Sequence, residues 1–220
     1  MMTMIDETAL NCNIFNDFSA EELECLFDAV EPFERRYVKG EVILREGEPN
    51  YYIRLMLEGS ALASKNAVTG KNGVYTAVKR GNIFGDVIAA SGGSVSEVSV
   101  VAETPCRCLL IDYRIVTDPA RPAVDLRMRF ICALTKELSQ KYFALRDRLD
   151  CVEKPSLRQK ILCYLRLSAG DGRTAFLHLN REQLASYLCC DRSALCRELS
   201  AMKKEGIIDY YQGTFKLLNE

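Results

Sequence analysis

Residues 180–208 read NREQLASYLCCDRSALCRELSAMKKEGII, and this stretch decides how the rest of the chain is understood. It splits into two short amphipathic helices joined by a tight turn. The first is expected over about Arg181–Leu188. Asn180 stands in the N-cap position with Gln183 three residues on, the order of a capping box. The second is expected over about Arg192–Lys204, with Asp191 as its N-cap. Leu184, Ala185 and Leu188 make one apolar face, and Ala194, Leu195, Leu199 and Met202 make the other. Arg192, Ser193, Cys196 and Arg197 fall between these faces. The pattern is a helix-turn-helix whose second helix has the size and charge to enter a major groove. An αα-hairpin that only packs fits the periodicity equally well, so the flanking sequence has to separate the two.

Downstream, Ile207–Tyr211 and Thr214–Leu218 flank a Gln212-Gly213 turn, and upstream Thr174–Leu179 reads as a strand after a helix at Leu157–Leu167. A helix-turn-helix between β segments is a winged helix. Before it lies a long helical stretch, roughly Ala123–Cys151, introduced by Pro119 and Pro122. Its apolar positions Val124, Met128, Ile131, Leu138, Tyr142, Leu145 and Leu149, with Thr135 between, alternate spacings of four and three. Such a heptad seam suits a parallel pairing with an identical helix; packing on the chain's own β domain is the competing reading. Lys154-Pro155 is the expected hinge.

From Phe33 to Asp112 the pattern changes to short β-branched or alternating runs broken by glycines. Examples are Val42-Ile43-Leu44, Tyr52-Ile53-Arg54-Leu55-Met56-Leu57 and Val98–Val101. Many short strands with frequent turn signals predict an antiparallel sandwich or barrel. Gly81–Ala90 reads as a turn leading into a short helix. At the N-terminal side, Ser19-Ala-Glu-Glu22 is a capping box for a helix carrying Leu23, Leu26 and Phe27, with Phe15 and Phe18 expected beneath it.

The bulk numbers bound the class. At 220 residues one or two domains are expected. No apolar run approaches 18 residues, and the start MMTMIDETAL lacks a basic n-region and an apolar h-region, so a cytoplasmic protein without a membrane partner is expected. The net charge of −1 conceals an asymmetry: residues 151–220 hold 11 Lys and Arg against 8 Asp and Glu. That positive excess lies where phosphates would be met. There is no Gly-Lys-Ser/Thr phosphate loop, no H-E-x-x-H and no spare histidine for a Ser/His/Asp arrangement, so an enzyme finds no support.

The order of parts resembles the cyclic AMP receptor protein and FNR (CRP/FNR) family over essentially the whole chain. The motifs that carry the resemblance are Val38-Lys-Gly-Glu-Val-Ile-Leu-Arg-Glu-Gly47, Leu57-Glu-Gly-Ser60, Gly81-Asn-Ile-Phe-Gly-Asp86, Val100-Val-Ala102, the long helix and Leu179–Ile208. It implies an α+β fold: an N-terminal antiparallel β-roll (a cyclic-nucleotide-binding-like jelly roll), a long dimerisation helix and a C-terminal winged helix-turn-helix. The corresponding divisions are residues 1–118, 119–151 and 152–220. It also implies a homodimeric regulator that binds double-stranded DNA, with RNA polymerase a candidate further partner. The glycines fit β-roll corners, which need positive φ or close backbone approach.

In the family's cyclic AMP binders a Glu after Phe-Gly holds the ribose, and an Arg-Ser pair further on grips the cyclic phosphate. Here those positions fall on Asp86, Ser96 and Glu97, so the cationic clamp has become a hydroxyl and a carboxylate. Phe84, Gly85, Asp86, Ser96 and Glu97 remain the effector-pocket candidates, for an unknown small molecule other than cyclic AMP or for no ligand. The resemblance assigns DNA contacts to Arg192, Ser193 and Arg197, with Arg181 on a phosphate, and dimer contacts to Met128, Ile131, Thr135, Leu138, Tyr142 and Leu145. Arginine can give guanine a bidentate contact. Lys203 and Lys204 are expected to be solvated or to touch the DNA backbone. Cys189 occupies a turn position that is often Gly, and would be strained if φ is positive there.

Ten cysteines keep a redox or iron–sulfur regulator open as an alternative, although Cys12 and Cys25 lack C-x-x-C spacing and no metal ligand set is assigned. Cys106 and Cys108 should share one face of a strand. The only histidine, His178, lies in the DNA-binding half, which excludes a histidine-held haem in the sensor. A third alternative is a cyclic-nucleotide-binding module with little DNA-binding role.

Overall fold

The structure, a computed structural model, describes residues 12–65, 73–177 and 179–218. The chain forms two compact units, Met1–Leu138 and Ser139–Glu220, and the division falls inside its longest helix.

The first unit begins with a 3-10 turn at Asn13–Phe15 and helix α1 (Ala20–Val30). The predicted capping box is present: Ser19 Oγ accepts from the Glu22 N–H at 3.2 Å, and Glu22 Oε2 accepts from the Ser19 N–H at 2.9 Å. Strands β1 (Phe33–Tyr37), β2 (Val42–Leu44), β3 (Tyr52–Glu58), β4 (Ser60–Lys65), β5 (Gly73–Lys79) and β6 (Ile83–Phe84) follow. Next come helix α2 (Asp86–Ala90), β7 (Ser99–Ala102), β8 (Cys106–Asp112) and α3 (Tyr113–Thr117). The sequence pattern did not signal α3. The strands make two antiparallel four-stranded sheets, ordered β1-β8-β3-β6 and β2-β7-β4-β5.

Alternation along β3 sorts the core into two layers. Met56 faces inward, opposite Cys108 on β8. It joins Tyr37, Ile43, Phe84, Val100, Cys106 and Leu110 in a cluster drawn from both sheets, the interior of the roll. Cys106 and Cys108 thus share one buried face, as their spacing requires. Ile53, Leu55 and Leu57 face the other way, onto Phe15, Leu23, Leu26, Phe130 and Leu134. That sheet is therefore covered on both sides. Gly59, between β3 and β4, shows why the corners need glycine: its φ is +87°, and an added Cβ would lie 2.3 Å from the Pro105 carbonyl oxygen.

Helix α4 (Val124–Val152) carries two stripes. Phe130 and Leu134 are buried against the roll core. The heptad seam lies elsewhere: Met128, Tyr142 and Leu145 are 55%, 62% and 65% exposed, and Thr135 is exposed. Ile131 and Leu138, on the same seam, are half-buried against the roll core. Thr135 Oγ1 donates back to the Ile131 carbonyl at 2.8 Å.

The second unit contains the end of α4, α5 (Leu157–Ala169), β9 (Thr174–Phe176), α6 (Arg181–Tyr187), α7 (Arg192–Lys204), β10 (Ile208–Tyr211) and β11 (Thr214–Leu217). Its strands form one antiparallel sheet ordered β10-β11-β9. Ile161, Leu165, Leu184, Leu188, Leu195, Leu199, Met202 and Phe215 fill a single core. Each large apolar side chain buried here contributes roughly 1.5–3 kcal/mol. Among the described residues, no helix is long and apolar enough to cross a membrane.

Candidate nucleic-acid interface and effector turn

Helix α6 starts at the predicted capping box. Asn180 Oδ1 accepts from the Gln183 N–H and Gln183 Oε1 from the Asn180 N–H, both at 2.9 Å. It ends in a Schellman motif: the Cys190 N–H reaches the Ala185 carbonyl at 2.9 Å and the Cys189 N–H reaches that of Ser186 at 3.3 Å. Cys189 sits at φ +52°, the strained left-handed position its sequence context foretold. Helix α7 then starts on Asp191, whose Oδ1 accepts from the Ser193 and Ala194 N–H groups at 2.8 and 3.0 Å. Ser193 Oγ also donates to it, at 2.5 Å. These bonds, the Ser193 hydroxyl first, hold the Asp191 carboxyl below its usual pKa.

Burying Leu195, Leu199 and Met202 turns the opposite side of α7 outward. Arg192, Ser193 and Arg197 are exposed there, with Cys196 half-buried among them. Some cations of this unit are held by the fold. Arg158 is spent on Glu198 and Glu205, at 2.6 Å each. Lys203 pairs with Asp209 at 2.7 Å and donates to the Tyr210 carbonyl at 2.9 Å, so this half-exposed lysine also holds the wing. Arg181 lies over the rings of Tyr210 and Phe215, 5.1 and 4.9 Å from their centroids. It therefore also braces the first helix against the wing. Arg192 and Arg197 make no ion pair with a described residue. His178 lies outside the described residues.

In the first unit, Gly85 has φ +72° and precedes α2. A Cβ there would stand 3.0 Å from Asn50 Nδ2 and 3.1 Å from Arg54 Nη1. Phe84 and Asp86 are buried, and Asp86 has partners of its own. The structure places the other two candidates less favourably for gripping a ligand. Ser96 is buried, and its hydroxyl donates to the Val98 carbonyl at 2.7 Å. Glu97 is 84% exposed and pairs with Lys65 at 3.6 Å.

Sequence reasoning passed over Arg54. It lies on the inward-facing parity of β3, two residues before Met56, and is only 7% exposed. Its register partners are Leu110 and Phe84. Nη1 donates to Asn50 Oδ1 at 2.5 Å and to the Tyr52 carbonyl at 3.1 Å. Burial pulls its pKa down from the usual arginine value, with Tyr37 the leading opposing influence. The available signal was a lone cation inside the run Tyr52–Leu57.

The buried thiols are held in the neutral form. Desolvation pushes Cys108 and Cys151 up to about 12 and raises Cys106 and Cys190. Among the described residues, no three His, Cys, Asp or Glu side chains converge to hold a metal ion.

Residues 34–118 match the family of cyclic nucleotide-binding domains, and residues 159–220 match the Crp-like helix-turn-helix domains. No curated protein sequence matches the chain. Among solved structures it is similar to the catabolite activator protein of Thermus thermophilus, at 18% identity and TM-score 0.51, with 93% of each chain covered. It is also similar to the c-di-GMP-responsive global regulator CLP of Xanthomonas campestris, at 17% identity and TM-score 0.56, covering 92% of this chain and all of that one. A cyclic nucleotide-binding domain from Methylobacillus flagellatus gives 22% identity and TM-score 0.58, over 70% of this chain and 84% of that one. At such identities the likeness concerns fold. With both domain families present in the expected order, the chain belongs to the CRP/FNR family of transcription regulators. It carries the helix-turn-helix of a DNA-binding protein.

Proposed function

We propose that this protein is a homodimeric regulator that acts in the cytoplasm, binds a pseudo-palindromic promoter site, and answers a signal other than cyclic AMP received in the β-roll. The observation that carries the DNA reading is the exposure of Arg192 and Arg197, neither in an ion pair with a described residue, while Arg158 and Lys203 nearby are held in ion pairs. The exposed heptad stripe on α4 supports pairing with a second copy, which would present two recognition helices to successive major grooves. Ser193, placed where family members often carry Glu, supports a half-site different from that of the cyclic AMP receptor protein. Ser96 and Glu97, one locally bonded and one solvent-facing, support an effector other than cyclic AMP. A relative named as linking cell–cell signalling to virulence gene expression accords with signal-dependent control of transcription.

Mobility-shift assays on promoters next to its own gene test the reading. The wild type should bind one site as a dimer, with affinity falling steeply as salt rises. Arg197→Ala should weaken specific binding by roughly 5- to 150-fold, the equivalent of about 1–3 kcal/mol. Ser193→Glu should change the preferred base. Binding that is weak and indifferent to sequence would remove the reading's main support.

A further inference from the structure

The first unit contains two buried arginines, and the fold treats them differently. Arg127 is a structural cation. Its Nε donates to the Pro122 carbonyl at 2.9 Å, Nη1 to Val116 at 2.6 Å and Nη2 to Arg121 at 2.7 Å, so each nitrogen has a backbone acceptor. Arg54 is almost as deeply placed, between the two sheets of the roll, and its Nη1 is satisfied by Asn50 and Tyr52. Nε is fully buried without a partner. The Tyr37 side chain also reaches the guanidinium, and no carboxylate forms an ion pair with it.

An uncompensated buried charge opposes folding, and selection tolerates one where a bound group completes it. The unpartnered Nε belongs to the side-on edge with which a guanidinium takes oxygens of a carboxylate or phosphate. Its position is equally specific. Asn50 holds Nη1 and also donates from Nδ2 to the Gly85 carbonyl at 2.8 Å, so Arg54 is tied beneath the turn that opens α2. Nothing larger than glycine would leave that turn so close to the guanidinium. Arg54 thus places a cation in the interior of the roll, on a different strand from positions 96 and 97.

We propose that Arg54 is the charge that holds this regulator's effector, and that the effector is a small molecule bearing a carboxylate or phosphate group. The proposal rests on the reading of the β-roll as the sensor.

Thermal melting of the full-length protein tests it, with inorganic phosphate, succinate and cyclic AMP as probes and sodium chloride at matched ionic strength as control. Phosphate or succinate should raise the wild-type melting temperature by a few degrees above chloride, and cyclic AMP should do no more than phosphate. The responding probe tells a phosphate from a carboxylate source. Arg54→Met should melt no lower than wild type in probe-free buffer, because the substitution removes an unpaired buried charge, and should lose the response. A wild type indifferent to all three probes overturns the proposal, as does an Arg54→Met protein that keeps the full shift. If Arg54→Met does not fold, the Arg54 Nε–H resonance of 15N-labelled wild type decides: titration with the probes should move it, and a static resonance overturns the proposal. Site-specific DNA binding measured in parallel without probes keeps the two readings apart. Its presence in a protein that ignores every anion leaves the regulator standing and removes Arg54's role.

Discussion

Arg148 Nε donates to the Tyr187 carbonyl at 3.1 Å, and its Nη2 donates to that of Ser186 at 3.3 Å. The last turns of the long helix thereby cap the first helix of the helix-turn-helix. A cation at a helix C-terminus meets both the orphan carbonyls and the negative end of the dipole. The same guanidinium lies 5.5 Å from the Tyr187 ring centroid, so its plane is fixed as well as its charge. Arg148→Ala should destabilise the C-terminal unit by about 1–2 kcal/mol, a charged hydrogen bond discounted for partial exposure. Arg148→Lys should recover only part of this, since an ammonium lacks the planar fork. Urea denaturation of the full chain measures both, and an unchanged midpoint would show that Arg148 braces nothing.

The exposed stripe of α4 gives the second prediction. Tyr142 and Leu145 are almost as open as surface polar residues, although their spacing continues that of Met128, Ile131, Thr135 and Leu138. Sedimentation should find the wild type as a dimer. Leu145→Asp, which sets a carboxylate opposite its own copy in a parallel pair, should shift the equilibrium to monomer and abolish high-affinity DNA binding. Each unit should keep its melting transition, because Leu145 is not in either core. A Leu145→Asp protein that remains dimeric would place the interface elsewhere.

Much of this was legible from local chemistry. Capping boxes at Ser19 and Asn180, the N-cap at Asp191 and the apolar faces of α6 and α7 are decided within a few residues of chain, so spacing alone located them. The strained turn at Cys189 was legible for the same reason. What escaped depended on contacts distant in sequence. The seam of α4 was read, but the second stripe of Phe130 and Leu134 was not, because only the folded roll gives that face something to cover. The partners of Lys203, Asp209 and Tyr210, come to it only when β10 folds back. Ser96 looked available because nothing in the sequence says that its hydroxyl closes on Val98. Arg54 stood in plain view within an apolar run, and only the pairing of β3 with β8 and β6 shows that it faces inward.

The buried thiols give a pH dependence of definite sign. Desolvation raises Cys108 and Cys151 to about 12 in the folded chain, against about 8.5 for a thiol in the unfolded chain. A raised folded pKa contributes stability that is complete below the unfolded value and lost as pH climbs from there toward the folded one. The urea midpoint should therefore hold between pH 7 and 8 and fall from about pH 8.5 upward. Tyr37, Tyr164 and Tyr187 are also raised by burial, but unfolded tyrosine ionises near pH 10, so the interval between isolates the cysteines. Cys108→Val with Cys151→Ala should make the slope in that interval shallower, with Cys106 and Cys190 supplying what remains. A wild-type midpoint that rises there would contradict the burial of these thiols.

Cys189 offers the opposite kind of variant, one that should gain stability. At φ +52° its Cβ crowds the following carbonyl, a conformation that costs a residue with a side chain about 1–2 kcal/mol. Glycine removes that cost but frees the unfolded chain, which returns about 0.4–1 kcal/mol. The balance predicts that Cys189→Gly stabilises by about 0.5–1 kcal/mol. The side chain is exposed, so no core contact is surrendered. Cys190 supplies the control: it is half-buried against the winged-helix core and is not among the residues with positive φ. Cys190→Gly should therefore lower the melting temperature while Cys189→Gly raises it. Equal losses from the two substitutions would mean that packing around the turn, and not backbone strain, governs this corner. A gain from Cys189→Gly accompanied by weaker DNA binding would mean that the strained turn sets the angle at which α7 leaves α6.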